Sequence, residues 1–132
     1  ENGLPNAEEI PDRVKYLKDN GVDFIYGGSS SFLDVNRDVF TNAAVGHGLP
    51  VLSPYERWVA NSSALLSIAA RYEDVGRLAG QQVEKILVEG LTPGDMPVLK
   101  MTNFAYVVNM AVAKQLNLFP SVEILQVAET VH

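Results

Sequence analysis

A chain of 132 residues that is 47% hydrophobic and 20% charged has the composition of an ordinary globular domain, not of a disordered or fibrous one. Sixteen acidic against ten basic residues leave a net charge of -6 with no basic cluster, which argues against a nucleic-acid surface, and the lack of cysteine excludes disulfides, thiolate nucleophiles and sulfur-bound metals. The apolar runs fall far short of the roughly 20 residues that span a bilayer, and the opening ENGLPNAEEIPDR is polar where a signal peptide would be apolar.

Residues 7–19 place Ile10, Val14 and Leu17 on one face at helical spacing, and Asn20 with Gly21 supplies the stop, so a helix is predicted with Pro11 in its first turn. VDFIY (22–26) predicts a strand. The GGSSS that follows, residues 27–31, suits either a sharp strand-to-helix turn, with serine as the cap, or a loop that cradles a ligand with free N–H groups and hydroxyls. Phe32, Val35, Val39 or Phe40, and Ala43 form one stripe and predict a second helix, ended by Gly46 and Gly48. LPVLS (49–53) is a second strand entered through a proline, PYERWVANSS (54–63) a loop or short helical turn, and ALLSIAA (64–70) a third strand. Between residues 72 and 89, Val75, Leu78, Ala79, Val83, Ile86 and Leu87 recur at helical intervals and predict the longest helix, stopped at Gly90. Beyond it, VLKMT (98–102) and AYVVNM (105–110) are extended candidates, AVAKQLN is a short helix, and a last helix begins at Pro120 or Ser121.

Helix and strand alternate through the first ninety residues, which predicts an α/β architecture: a Rossmann-like open, mostly parallel sheet of three to five strands flanked by helices. The first element is a helix with no strand before it, so the sheet is expected to lack neighbours.

Few catalytic constellations survive inspection. No P-loop or dinucleotide fingerprint is present. A serine hydrolase would need His47 beside Ser29, Ser30 or Ser31, yet these stand at opposite ends of one predicted helix, about 20 Å apart at its rise per residue. The other histidine, His132, is the final residue, and no ligand cluster for a metal is evident, so neither metal nor cofactor is expected. What remains is binding. In a parallel sheet the loops after the strands converge at the carboxyl edge, where open α/β folds hold their ligands. The first loop offers the hydroxyls of Ser29, Ser30 and Ser31, and the second offers Tyr55, Glu56, Arg57 and Trp58. Each has a plainer reading beside it, Ser31 as a helix N-cap and Trp58 as a core residue.

VDFIYGGSSSF, LPVLSPYE, ALLSIAARYEDVGRLAGQQVEKILVEG, PGDMPV and FAYVVNMAVAKQLNLFP, in that order and spacing, resemble the second half of the solute-binding proteins of ABC transporters with a type I periplasmic-binding fold, in the branch that includes tryptophan- and tyrosine-binding members. The resemblance implies a non-enzymatic, two-lobed trap that closes on a small-molecule solute and delivers it to a membrane permease. It implies a periplasmic or other extracytoplasmic location, with a lipoprotein anchor in the full-length protein as one form of it. Residues 1–70 would belong to the ligand-binding second lobe, lacking its first strand and helix, and residues 71–132 would supply the hinge crossing, the long helix and a C-terminal segment packing between lobes. Ser29, Ser30, Ser31, Tyr55, Glu56, Trp58 and Ser67 would bind the solute, and Ala69, Ala70, Arg71 and Tyr72 would form a hinge. The apolar stripe of the long helix would then seek a partner, favouring self-association. Where the family commonly has an Asp-Asn-Thr-like triplet, this chain has Ser30, Ser31 and Phe32, which removes one acid from the first loop and leaves Glu56 as countercharge. An input domain of a signalling protein or regulator fits the same lobes, and a small α/β enzyme using Ser30 and Glu56 is the alternative from another class.

Overall fold

The computed structural model describes residues 5–132. Asn6 opens the chain's first helical segment, its side chain accepting from Glu8 N–H at 3.1 Å. A single 3-10 turn then leads into α1, Ile10–Asp19, with Pro11 in the first turn, where no intrahelical N–H is lost. Gly21, at φ 78°, closes the helix, and Val22 N–H returns to Leu17 carbonyl at 3.1 Å. That closure draws residue 22 into the helix stop and is one reason β1 is only Ile25–Tyr26, shorter than the run of β-formers that predicts it. The other reason is its neighbour. β2, Val51–Ser53, starts after Pro50, which has no N–H to donate, so the ladder begins with Ile25 N–H on Pro50 carbonyl at 2.9 Å.

The helix expected over the next stretch is two. α2 spans Ser31–Val35 and α3 spans Arg37–Gly46, and Asn36 interrupts them at φ -102°, ψ 21°. Its side-chain amide donates to Phe32 carbonyl at 2.9 Å, competing with the backbone as asparagine does. After β2 come α4, Glu56–Asn61, and β3, Leu66–Ala69, then α5, Tyr72–Leu87. β4, Ala105–Asn109, is followed directly by α6, Met110–Leu116, whose N-cap is Asn109 with its side chain accepting from Val112 N–H. α7, Val122–Val127, ends early at an extended Ala128 and releases β5, Glu129–Val131, a strand too short to be read from the sequence.

The five strands form one sheet in chain order, β1-β2-β3-β4-β5. β1 with β2, β2 with β3, and β4 with β5 pair in parallel, with Ile25 opposite Val51, Ser53 opposite Ser67 and Val107 opposite Glu129. The α/β class and the mostly parallel sheet are as the alternation of elements predicts. The extended candidate at 98–102 forms no strand, and Val98 is left 91% exposed: residues of high β-propensity become a strand only where another edge is there to pair with them.

The hydrophobic core joins the helices to this sheet. Ile10 and Val14 from α1, Phe40 and Ala44 from α3, and Trp58 and Val59 from α4 pack with Leu49, Val51, Ala64 and Val107. Two compact units divide the chain: residues 1–69 with 106–132, and residues 70–105. Residues 106–132 belong to the first because β4 from Tyr106 onward and β5 extend its sheet. In the second, α5 buries no residue, and Val75, Val83 and Leu87 are 41%, 50% and 77% exposed.

Candidate functional site

The two glycines after β1 have separate reasons. Gly27 is buried, and a Cβ built on it would lie 2.7 Å from a ring carbon of Trp58, so only hydrogen fits. Gly28 turns the chain in the left-handed region at φ 58°, which glycine adopts without strain. The serines divide the work that follows. Ser29 is exposed and its Oγ lies 2.7 Å from the Tyr55 hydroxyl. Ser30, not Ser31, is the N-cap of α2, accepting from Leu33 N–H at 3.3 Å, and Ser31 is the exposed first residue of that helix.

Tyr55 is set by the loop after β2. Ser53, 2% exposed, accepts from Tyr55 N–H at 3.0 Å and donates to Tyr55 carbonyl at 3.2 Å, folding residues 53–55 into a tight hydroxyl-closed turn. The turn aims the tyrosine ring across to the first loop. Arg57 covers that ring, its guanidinium 4.5 Å from the centroid. Glu56 opens α4 and is half-buried.

Trp58, for which the sequence leaves a solute contact and a core position both open, is wholly buried. Its ring meets Phe40 edge-on at 6.0 Å and Tyr55 at 6.1 Å, and it fills the space that Gly27 leaves open, because the first residues of a helix that follows a strand turn one side back onto the sheet. Its role in this conformation is a floor beneath the loops. The residue that the sequence reading missed is Asp34. Its carboxylate accepts from Trp58 Nε1 at 2.7 Å and from Arg57 Nε and Nη2 at 3.1 and 2.7 Å. The Trp58 N–H, and then the Arg57 guanidinium, hold Asp34 below the usual carboxylate range. In the sequence this aspartate reads only as an acid in a helix's first turn, and its partners stand 23 and 24 residues away. The available signal was its place one turn after the cap serine, on the helix that the loop opens.

Ser67 lies beside Ser53 in the sheet register, is fully buried, and its hydroxyl has no hydrogen-bond partner among the described residues. Ala69 ends β3 and Tyr72 starts α5, with Ala70 and Arg71 between. Thus Ser29 and Tyr55 are in contact, Ser30, Ser31 and Glu56 stand at the helix starts beside them, and Trp58 and Ser67 are inside. The groove of about 390 Å³ in the first unit, lined by Leu65, Leu66, Val108, Leu118, Phe119 and Ile124 among others, shares no residue with this set. Among the described residues no group of three or more histidine or acidic side chains is placed to hold a metal ion.

A family model described as ABC transporter substrate binding protein matches residues 2–132. The chain belongs to this family. Solved structures agree on the fold. A conserved domain protein from Vibrio cholerae O1 biovar El Tor aligns with a TM-score of 0.74 at 21% identity, covering 96% of this chain and 42% of that one. An ABC domain in complex with L-Trp from Streptococcus pneumoniae gives 0.73 and 21%, covering 98% and 44%. A ligand-free, open substrate binding protein with adhesive properties from Clostridium difficile gives 0.77 and 21%, covering 97% and 42%. The chain therefore spans less than half the length of each of these structural neighbours. None of the curated proteins matches it.

Proposed function

We propose that this chain serves in an extracytoplasmic solute-binding protein of an ABC transporter, which captures a small amino-acid-like or other polar or anionic solute between two lobes and passes it to the transporter's membrane permease. The observation that carries this reading is the contact of Ser29 with Tyr55 at 2.7 Å where two strand-end loops meet, in a chain of the substrate-binding family. A solute would be met by the hydroxyls of Ser29, Ser31 and Tyr55, with Glu56 beside them. Ser30 has its acceptor engaged in capping α2, and contributes by fixing the loop. The hydroxyl pair can both donate and accept, which suits a carboxylate or a neutral polar group. Asp34 adds no free charge, being neutralised by Arg57.

In this reading residues 1–70 form part of the ligand-binding lobe and Ala69 to Tyr72 the hinge, so that solute shifts the population towards a closed form that contacts it from both sides. No chemistry on the solute is involved. A lipid anchor on the full-length protein is one means of keeping it at the membrane, since no helix among the described residues is long and apolar enough to cross one. The exposed apolar residues of α5, Val75, Val83 and Leu87, would promote self-association wherever nothing else covers them.

The test is a thermal-shift screen of the full-length protein against amino acids, nucleosides, sugars and small carboxylates. A ligand that binds only the folded state raises the melting temperature by mass action. A shift of several degrees confined to one compound class would name the solute. A cooperatively melting protein that responds to none of them would sink the reading.

A further inference from the structure

Asp34 joins the two loops at the sheet edge. It stands on α2, which the loop after β1 opens, and all three donors to its carboxylate come from Arg57 and Trp58 on α4, which the loop after β2 opens. The link closes on itself. Arg57 lies over the Tyr55 ring, the Tyr55 hydroxyl reaches Ser29, and Ser30 carbonyl accepts from Asp34 N–H at 2.9 Å. α2 has five residues, too few to hold a fixed direction alone, so the orientation of its loop depends on what its side chains grip.

Resting on the reading that Ser29 and Tyr55 meet the solute, we propose that Asp34 is the positioning residue of this site, holding Tyr55 against Ser29 through Arg57 and Trp58 and so setting solute affinity without touching the solute. Two charged groups besides Arg57 bear on it. Arg37 on α3 donates to Asp34 main-chain carbonyl at 3.1 Å, and Asp38 lies 3.9 Å from Arg37. Both arginines keep their charge at any pH at which the protein folds, so acid acts on the carboxylate.

Trp58 is the one tryptophan of this chain, and its indole N–H proton-nitrogen resonance, assigned by its loss in Trp58→Phe, reports on Asp34 with no ligand present. The experiment compares wild type, Asp34→Asn, Asp34→Glu and Arg57→Gln by that resonance, by melting temperature, and by calorimetric affinity for the standard L-amino acids as probes. Asparagine keeps an oxygen for the indole but turns two hydrogens or no charge towards Arg57. Asp34→Asn is expected to move the resonance and weaken binding of the best probe by roughly tenfold, as for coupled charged neighbours. Arg57→Gln, at an exposed position, should weaken it by a similar factor, and Asp34→Glu should recover part of the loss. Equal affinity in wild type and in both Asp34→Asn and Arg57→Gln would overturn the positioning role, leaving Asp34 as a tie between helices. Loss of affinity that follows melting temperature alone, with no recovery in Asp34→Glu, would overturn it too. A wild type that binds none of these probes overturns the functional reading for amino acids, whereas an Asp34→Asn variant that leaves the ligand-free Trp58 resonance unmoved overturns the positioning role.

Discussion

At the scale of single residues, two small side chains near the site make opposite predictions. Gly27→Ala adds a methyl group where the Trp58 ring already stands 2.7 Å from the position it would take, and the ring is enclosed by Phe40 and Tyr55. Overpacking of this kind costs about 1–3 kcal/mol. A urea titration should show the midpoint falling, and the fluorescence of Trp58 should change. An unchanged midpoint would mean that the loop yields freely. Ser67→Ala removes a buried hydroxyl that no group among the described residues satisfies, so stability is expected to hold or rise by up to about 1 kcal/mol. If the variant is as stable as wild type but loses solute affinity, Ser67 supplies its hydroxyl to the bound solute. If affinity is also unchanged, Ser67 is core alone.

Asp34 sets an acid dependence at the same scale. Its folded-state pKa is depressed, so its stabilising contribution is complete above the ordinary aspartate value of about 4 and is lost as pH falls through the lower folded value. Melting temperature measured downward from neutral pH should therefore decline less steeply at the acid end in Asp34→Asn than in wild type. Superimposable profiles would show that the carboxylate contributes no pH-dependent stability.

At the scale of elements, strand and helix ends rest on a few asparagines and prolines. Asn109 ends β4 and caps α6: its backbone N–H reaches Leu65 carbonyl, its side-chain carbonyl accepts from Val112 N–H at 3.0 Å, and its amide donates to Val59 carbonyl at 3.1 Å. One side chain thereby ties the start of α6 to the end of α4. Asn109→Ala should cost about 1–3 kcal/mol, more than an ordinary cap, because the carbonyl of the buried Val59 also loses a donor. Asn109→Asp keeps the cap and loses the amide, so its stability in chemical denaturation should fall between the two. A loss no greater than about 0.5 kcal/mol for alanine would show that the link to α4 is unimportant.

At the scale of the whole molecule, the open question is what covers the apolar residues of α5. Val83 and Leu87 are 50% and 77% exposed, one helical turn apart, on an element that buries nothing. The chain should therefore self-associate as its concentration rises, and sedimentation velocity should show the weight-average mass increasing. Val83→Glu with Leu87→Lys should abolish the increase while far-ultraviolet dichroism stays the same. A wild-type chain that sediments as a monomer throughout would refute self-association through this face.

The sequence by itself determined what depends on neighbours along the chain. Periodicity gave α1 and α5, Gly21 gave the stop of α1, the alternation of elements gave the α/β class, and the order of five segments pointed to the substrate-binding family that residues 2–132 match. Only the tertiary structure decided what depends on distant partners. The lengths of β1 and β2 follow from where Pro50 withholds a donor, residues 98–102 lack an edge to pair with, and β5 exists because β4 lies beside it. The site divides in the same way. Ser29, Ser30 and Tyr55 were visible as loop residues with hydroxyls and Trp58 as either a core or a solute-facing ring, whereas the contact of Ser29 with Tyr55 and the grip of Asp34 on α4 join groups more than 20 residues apart. A hydrogen bond across that distance leaves no periodic trace in a sequence, since its geometry is set by how two helices leave one sheet edge.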